Sequence, residues 1–439
     1  VMTVANATII NNGASGETGG SGGGILNSGG QLSVSDTTFS GNTAVRAGGA
    51  IEDNSNSGST AVDLLNVTLD ANVAGPTPGN GGGLHVTGTG STVTIDRSLV
   101  SNNTAANEGG GLWNFNTSTM NVYNSTVFGN AATATHGGGV FGQPASVTNL
   151  INVTVAANSA GDSGGGVFVS ETASTSATNT LIGDNTAVTA GPDVFGTLGG
   201  GGYNLIEDDS DATLSGSANV VGEDPLLDAE GLQANGGATM TVALQVGSPA
   251  VDAAFNSVCG GPEIGNLDQR GVPDIRPFDG DNDGSADCDI GAYELSNAPI
   301  MSVTATALTN ATVAPDATGV VALGYTLSNE SDESVTYTGF SGSLGGTGDF
   351  DDVARAAIIL DANANGEFDD GETEIAGMIS FNDAAGTFTA TFDTGRSLDP
   401  ATSESLIVAV DFGTTTASAF GLQMVAGGGL MLVGLAGAA

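Results

Sequence analysis

The sequence predicts an all-β chain: a right-handed parallel β-helix followed by a small antiparallel β-sandwich. Three observations carry this expectation. A Gly-Gly step closed by an aliphatic residue recurs at Gly23-Gly24-Ile25, Gly48-Gly49-Ala50-Ile51, Gly82-Gly83-Leu84, Gly110-Gly111-Leu112, Gly138-Gly139-Val140 and Gly165-Gly166-Val167. A hydrophobic-x-x-Asn step recurs with it and ends at Asn42, Asn72, Asn103, Asn130, Asn158 and Asn185, so successive Asn positions differ by 30, 31, 27, 28 and 27 residues. A fixed period in this range marks a solenoid or an array. Between the two steps the pattern is short, β-branched and alternating, as in Ser91-Thr92-Val93-Thr94-Ile95 and Ser146-Val147-Thr148-Asn149-Leu150. That alternation is the signature of strands.

Each repeat reads as one solenoid turn with about three short strands, stacked on the next turn at about 4.8 Å. The recurrent Asn belongs at a corner, where its amide can bond backbone groups and stack on the Asn above. The glycines are expected to supply positive φ at the other corner.

The Gly48-Gly49-Ala50-Ile51 and Phe39-Ser40-Gly41-Asn42 phrases resemble the repeat of chlamydial polymorphic outer-membrane proteins, over residues 1–190. The resemblance implies a bacterial surface β-helix. It does not choose among adhesins, lyases and ice binders, which share this fold.

The chain has 439 residues, enough for two or more domains. Only 5% of residues are aromatic and 71 are Gly, which suits a narrow core of small aliphatics with glycine-rich turns; periodic Val, Ile and Leu argue against disorder. Forty-eight acids face six Arg and no Lys, for a formal net charge of −42. Such a surface excludes nucleic acid and anionic lipid as partners. It favours divalent cations and high ionic strength, which relieve self-repulsion. The opening Thr8-Ile9-Ile10-Asn11-Asn12 already reads as an Asn step, as in a processed or trimmed chain without a visible leader.

Residues 191–296 carry an ordered series of phrases: Gly191-Pro192-Asp193-Val194-Phe195, Gly202-Tyr203-Asn204-Leu205-Ile206, Asp224-Pro225-Leu226-Leu227, Gly247-Ser248-Pro249-Ala250-Val251-Asp252, Asp268-Gln269-Arg270-Gly271, Arg276-Pro277 and Cys288-Asp289-Ile290-Gly291-Ala292-Tyr293-Glu294. The series resembles the choice-of-anchor Q module of bacterial surface proteins. The resemblance implies final solenoid turns and a C-terminal cap, so that the β-helix covers 1–296. It also implies that Cys259 and Cys288 are paired as a disulfide, which places the chain outside the cytoplasm.

Residues 299–415 change to alternating runs at sandwich spacing, such as Val320–Leu327, Thr387–Phe392 and Ser405–Phe412. Residues 416–439 form an apolar, glycine-rich segment. It reads as the hydrophobic part of a sorting signal, a membrane anchor or a strand packed on this chain or a neighbouring copy.

The strongest metal signal lies in the sandwich, at 361–372. Asp361, Asn363 and Asn365 occupy loop positions 1, 3 and 5, Gly366 position 6 and Glu372 position 12. Glu367 is expected to offer its backbone carbonyl, and Asp369 to act directly or through water. This is the spacing of a twelve-residue Ca2+ loop, because a hard cation needs six to eight oxygens on a tight turn. A second candidate, Asp279, Asp281, Asp283 and Asp287, lies between the cysteines but has Ile290 at position 12. Catalytic signals are weaker. His85 and His136 flank glycine corners without a partnered nucleophile, Arg46 and Arg97 are the only solenoid cations before residue 190, and Asp162, Asp184 and Asp193 form no paired-carboxylate signature. Trp113 and Phe115 could offer either a sugar-stacking platform or packing.

The sequence thus reads as a secreted or cell-surface structural or adhesive protein of the bacterial envelope, stabilised by calcium, with identical subunits or surface glycans as further partners. The alternatives are a carbohydrate-active lyase or glycosidase, and a self-assembling filament or sheath subunit with the apolar tail as connector.

Overall fold

A computed structural model describes residues 1–16, 19–55, 60–271, 276–281, 284–295, 301–306, 318, 320–329, 335–343, 353–365, 367, 369, 371–375, 377–382, 387–399, 402–412, 431–433 and 436–437. It divides into two compact units, Val1–Ser296 and Asn297–Ala439.

The first unit is a parallel β-solenoid of about seven turns. Each turn visits four faces, not three. In the second turn these are Ile51–Asn54, Ala61–Leu65, Thr68–Asp70 and Val73–Ala74. The extra face consists of two-residue strands following the Asn step, too short to leave any alternation in the sequence. Equivalent residues stack in register, for example Leu69 on Phe39 and Val100. Alternate side chains therefore line the bore. Phe39, Leu69, Val100, Val127, Val155 and Ile182 form one fully buried column, and Ile51, Leu84, Leu112, Val140 and Val167 another. Each such side chain contributes about 1.5–3 kcal/mol by leaving water.

The glycine steps work differently from the expectation. Positive φ falls on the residue just before the pair at Gly81, Gly109, Gly137 and Gly164, and on the first glycine of the step at Gly48. The paired glycines are required by close approach: a Cβ on Gly110 would lie 2.4 Å from the Gly138 carbonyl oxygen, and one on Gly49 2.2 Å from that of Gly82. The backbone of the adjacent turn passes too near there for any side chain.

The Asn steps form one ladder through the interior. Each Nδ2 donates to Oδ1 of the next Asn at 2.9 Å, from Asn42 to Asn72, Asn103, Asn130, Asn158 and Asn185. The backbone N–H of each donates to the same Oδ1, as Asn103 N does to Asn130 at 3.0 Å. The second Nδ2 proton goes to a backbone carbonyl of the preceding turn, as from Asn130 to Val100 at 2.9 Å. These buried amides are thus satisfied, which removes the desolvation cost that would otherwise accompany them. The ladder begins at Asn12, as the opening Asn step predicted, and ends on the carboxylate of Asp193.

Residues 191–221 complete the last turns, with one nine-residue strand, Val194–Gly202, joining two faces that are separate elsewhere. The expected end cap is instead a lateral module. The hairpin Leu227–Gln233 and Thr241–Leu244, the helix Asn256–Cys259 and the chain to 295 run along the flank of the solenoid. Thr239 bonds the Arg97 carbonyl, Gln269 accepts from Thr126 at 2.5 Å, Ala292 N–H donates to Thr154 and Gly291 N–H to the Asn179 carbonyl. Leu244, Ala250, Ile290 and Tyr293 cover the outward-facing Leu181 and Leu205. Cys259 and Cys288 are joined by a disulfide inside this lateral module.

The second unit is a sandwich of two five-stranded antiparallel sheets. Tyr325, Leu327, Leu406 and Val408 of one sheet meet Tyr337, Phe340, Phe388 and Phe392 of the other in a shared core. The sandwich also recruits part of the apolar tail. Met431–Val433 and Ala436–Gly437 pair antiparallel with the strand Val335–Ser343. Among the described residues no helix is long and apolar enough to cross a membrane.

Candidate functional site

The loop 361–372 closes a hairpin between strands Val353–Leu360 and Thr373–Ile375, whose ends pair at Leu360 and Thr373. This pairing turns five ligand-type side chains toward one another. Asp361 Oδ1 accepts from Asn365 N–H at 3.2 Å, and Asn363 Oδ1 from the same group at 3.0 Å. The amides of Asn363 and Asn365 both donate to Asp369 Oδ2, at 2.9 and 2.8 Å. The carboxylate of Glu372 bridges Ala362 N–H and Asp369 N–H, at 3.2 and 3.0 Å. Glu367 is held by its own N–H, which donates to Asn365 Oδ1 at 2.8 Å. The two amides lower the Asp369 pKa below the usual carboxylate value. Gly366 and Asp370 lie outside the described residues.

The second acidic loop is arranged differently from its sequence spacing. Carboxylate oxygens of Asp279 and Asp281 come within 4.8 Å of one another and of Asp252. Asp252, from the Gly247–Asp252 phrase, also accepts from Asp281 N–H at 2.8 Å and Asp287 N–H at 3.3 Å. Asp287 itself takes the side-chain amide of Asn256 at the helix start. Asp283 lies outside the described residues. Loop spacing could not find Asp252, because the flank fold supplies it from a separate segment.

The phrases that resemble the choice-of-anchor module converge on one buried ionic network. Arg276, 1% exposed, pairs with fully buried Glu294 at 2.8 Å. Arg270 pairs with Asp268 at 2.7 Å and lies 4.1 Å above the Tyr293 ring. Asp289 accepts from the N–H groups of Asp252 and Leu295. Three buried carboxylates thus face two guanidiniums. Burial, followed by the neighbouring Glu294, pushes the Asp289 pKa well up; burial likewise raises Glu294, against the pull of Arg276.

On the solenoid, an outward row stacks Glu52, His85, Trp113, Phe141, Phe168 and Phe195 in register. His85 Nδ1 meets Glu52 at 2.5 Å, and Arg46 holds the other Glu52 oxygen. Trp113 stacks on His85 at 4.0 Å and lies parallel to Phe141 at 6.3 Å. At 5% exposure, Trp113 presents no ring face for a sugar, so the platform reading fails and the packing reading holds. His136 stacks on Phe168 at 4.4 Å and lies 3.8 Å from Asp162. Asp184 holds an αL corner beside Glu207, whose carboxylate takes the Asp184 N–H, and Asp193 ends the ladder. The three candidate carboxylates therefore have three separate structural roles.

No family model matches the sequence, and no curated protein matches it. The two resemblances rest on the quoted residues alone.

Proposed function

We propose that this chain is a structural or adhesive β-helix protein of the bacterial cell surface, exported from the cell and stabilised by calcium. The observation that carries this reading is the unbroken interior ladder from Asn12 to Asp193. His85 and Asp193, two of the groups an enzyme would turn toward a cleft, are here buried in the outer stack and at the end of the ladder. The disulfide supports an oxidising location, since such bonds persist outside reducing compartments. The pairing of Met431–Val433 within its own sandwich favours a tail used in cis over a connector to a neighbouring copy.

Calcium is proposed at 361–372 on the donor set: Asp361, Asn363, Asn365, Asp369 and Glu372 already share one loop interior. Rotation of the two Asn amides would turn their oxygens inward, where a hard cation prefers them. A weaker proposal places a second cation among Asp252, Asp279 and Asp281.

The decisive experiment exposes intact producing cells to an impermeant protease and probes the purified chain on a panel of envelope polysaccharides with calcium present. Loss of the protein from intact cells, with binding but no new reducing or unsaturated ends, is expected. Full protection from protease would overturn the surface reading. Steady product formation would overturn the structural one in favour of a carbohydrate-active enzyme.

A further inference from the structure

Cys259 and Cys288 lie on the underside of the lateral module, against the solenoid. Both are fully buried, and they share one apolar cluster with Leu181 and Leu205 of the solenoid. The corner beneath them carries a pair of buried asparagines from successive turns, Asn152 and Asn179, each in the αL conformation. Asn179 Nδ2 donates to Asn152 Oδ1 at 3.3 Å. Both amides also point at Cys259 Sγ, from 3.5 Å for Asn152 and 3.6 Å for Asn179. Asn179 grips both segments that the disulfide joins. Its Oδ1 accepts from Phe255 N–H at 2.9 Å, at the start of the helix Asn256–Cys259. Its backbone carbonyl accepts from Gly291 N–H at 2.9 Å, just beyond Cys288.

We propose that the disulfide is a redox latch: while oxidised it keeps the lateral module seated on Asn152 and Asn179, and the seated module hides the bond from thiols. Without the link, the 256–259 helix and the segment around Cys288 are ordered against Asn179 separately, and chain entropy opposes that. Lifting the module bares Leu181 and Leu205, so the reduced chain presents an apolar patch that the oxidised chain covers.

Reduction and undocking are then one coupled event. An external dithiol reaches the buried sulfurs when the module lifts as a unit. Its first thiolate attacks one cysteine sulfur; the S–S bond breaks and its electron pair leaves on the other cysteine. The second thiolate then displaces the first cysteine and closes a disulfide within the reagent. The two protons of the dithiol end on Cys259 and Cys288.

Reduction of the full chain by dithiothreitol, followed by alkylation and intact mass, tests the latch. The bond should be lost roughly a hundredfold more slowly in the native chain than in urea. Asn179→Ala should accelerate native reduction about tenfold, because the seat loses its bonds to Phe255 and Cys259. The outer-face variant Asn121→Ala should leave the rate unchanged. Hydrogen exchange of the wild-type chain gives a reading independent of any variant's folding. On reduction, peptides covering 250–259 and 287–295 should lose protection, while peptides covering 119–132 in mid-solenoid should keep it. Reduction as fast in the native chain as in urea, or unchanged exchange of the module peptides after reduction, overturns the proposal. So does an Asn179→Ala chain that folds and is reduced at the wild-type rate.

Discussion

The solenoid and its lateral module bury polar groups by opposite means. In the solenoid, the Asn42-to-Asn185 ladder repeats one neutral unit whose donors and acceptors match from turn to turn. In the module, Asp268, Arg270, Arg276, Asp289 and Glu294 form a single network that occurs once and does not balance. A neutral ladder tolerates extension, because each added rung brings its own partners. A buried ionic network tolerates no change in number, because a lone charge has nowhere to go. The ladder therefore suits a structure of variable length, and the network suits a buckle fixed at one place on the flank.

The largest expected effect strikes the network. Arg276→Met removes the partner of Glu294 and leaves Asp289 and Glu294 facing one another without that cation. The cost should be about 3–5 kcal/mol, read as an early loss of the lateral module in denaturant. Adding Glu294→Gln to that variant should recover part of the loss; no recovery would mean that the guanidinium acts through packing alone.

Next comes the covalent link. Replacing both Cys259 and Cys288 by Ala should destabilise the module by about 2–4 kcal/mol. The outward Leu181 and Leu205 lie beneath it, so the variant should also gain binding of an apolar dye. A variant with wild-type melting and no dye binding would show that the flank contacts hold the module unaided.

The sandwich should respond to calcium more modestly. Preferential binding to the folded state raises the melting temperature with free cation, and chelator should reverse the rise. Glu372→Gln should remove most of that response while keeping the hairpin, since its one amide oxygen can still accept from one of Ala362 and Asp369 and the Leu360–Thr373 pairing is untouched. Identical melting with excess calcium and with chelator would reduce the loop to an acidic turn.

This contrast also explains what was legible in advance. The turns could be read because Asn103, Asn130 and Asn158 recur with their glycine steps, and repetition amplifies a weak local signal. The turn at 361–372, with its clustered Asp, Asn and Glu side chains, could be read because their spacing is local. The lateral docking could not, because its contacts join Gln269 to Thr126 and Ala292 to Thr154 across 143 and 138 residues. One signal did exist. Leu99, Leu181 and Leu205 stand in register with the outward Thr38 and Thr68 of earlier turns. Apolar residues in a row that is otherwise polar mark a covered face. The two-residue strands, such as Ala131–Ala132, are too short to carry a visible pattern.

The central claim is that the interior Asn ladder holds the solenoid together while outward amides do not. Asn130 and Asn121 offer a matched pair within one turn. Asn130 is fully buried in the ladder, and Asn121 lies on an outer face, where it accepts from Asn149 at 2.9 Å. Equilibrium unfolding of Asn130→Ala and Asn121→Ala measures the difference directly. Asn130→Ala strands Asn103 N–H and Nδ2 without their acceptor and should cost about 2–5 kcal/mol, whereas Asn121→Ala should stay within about 0.5 kcal/mol of wild type. Equal losses in the two variants, or a silent Asn130→Ala, would contradict the account.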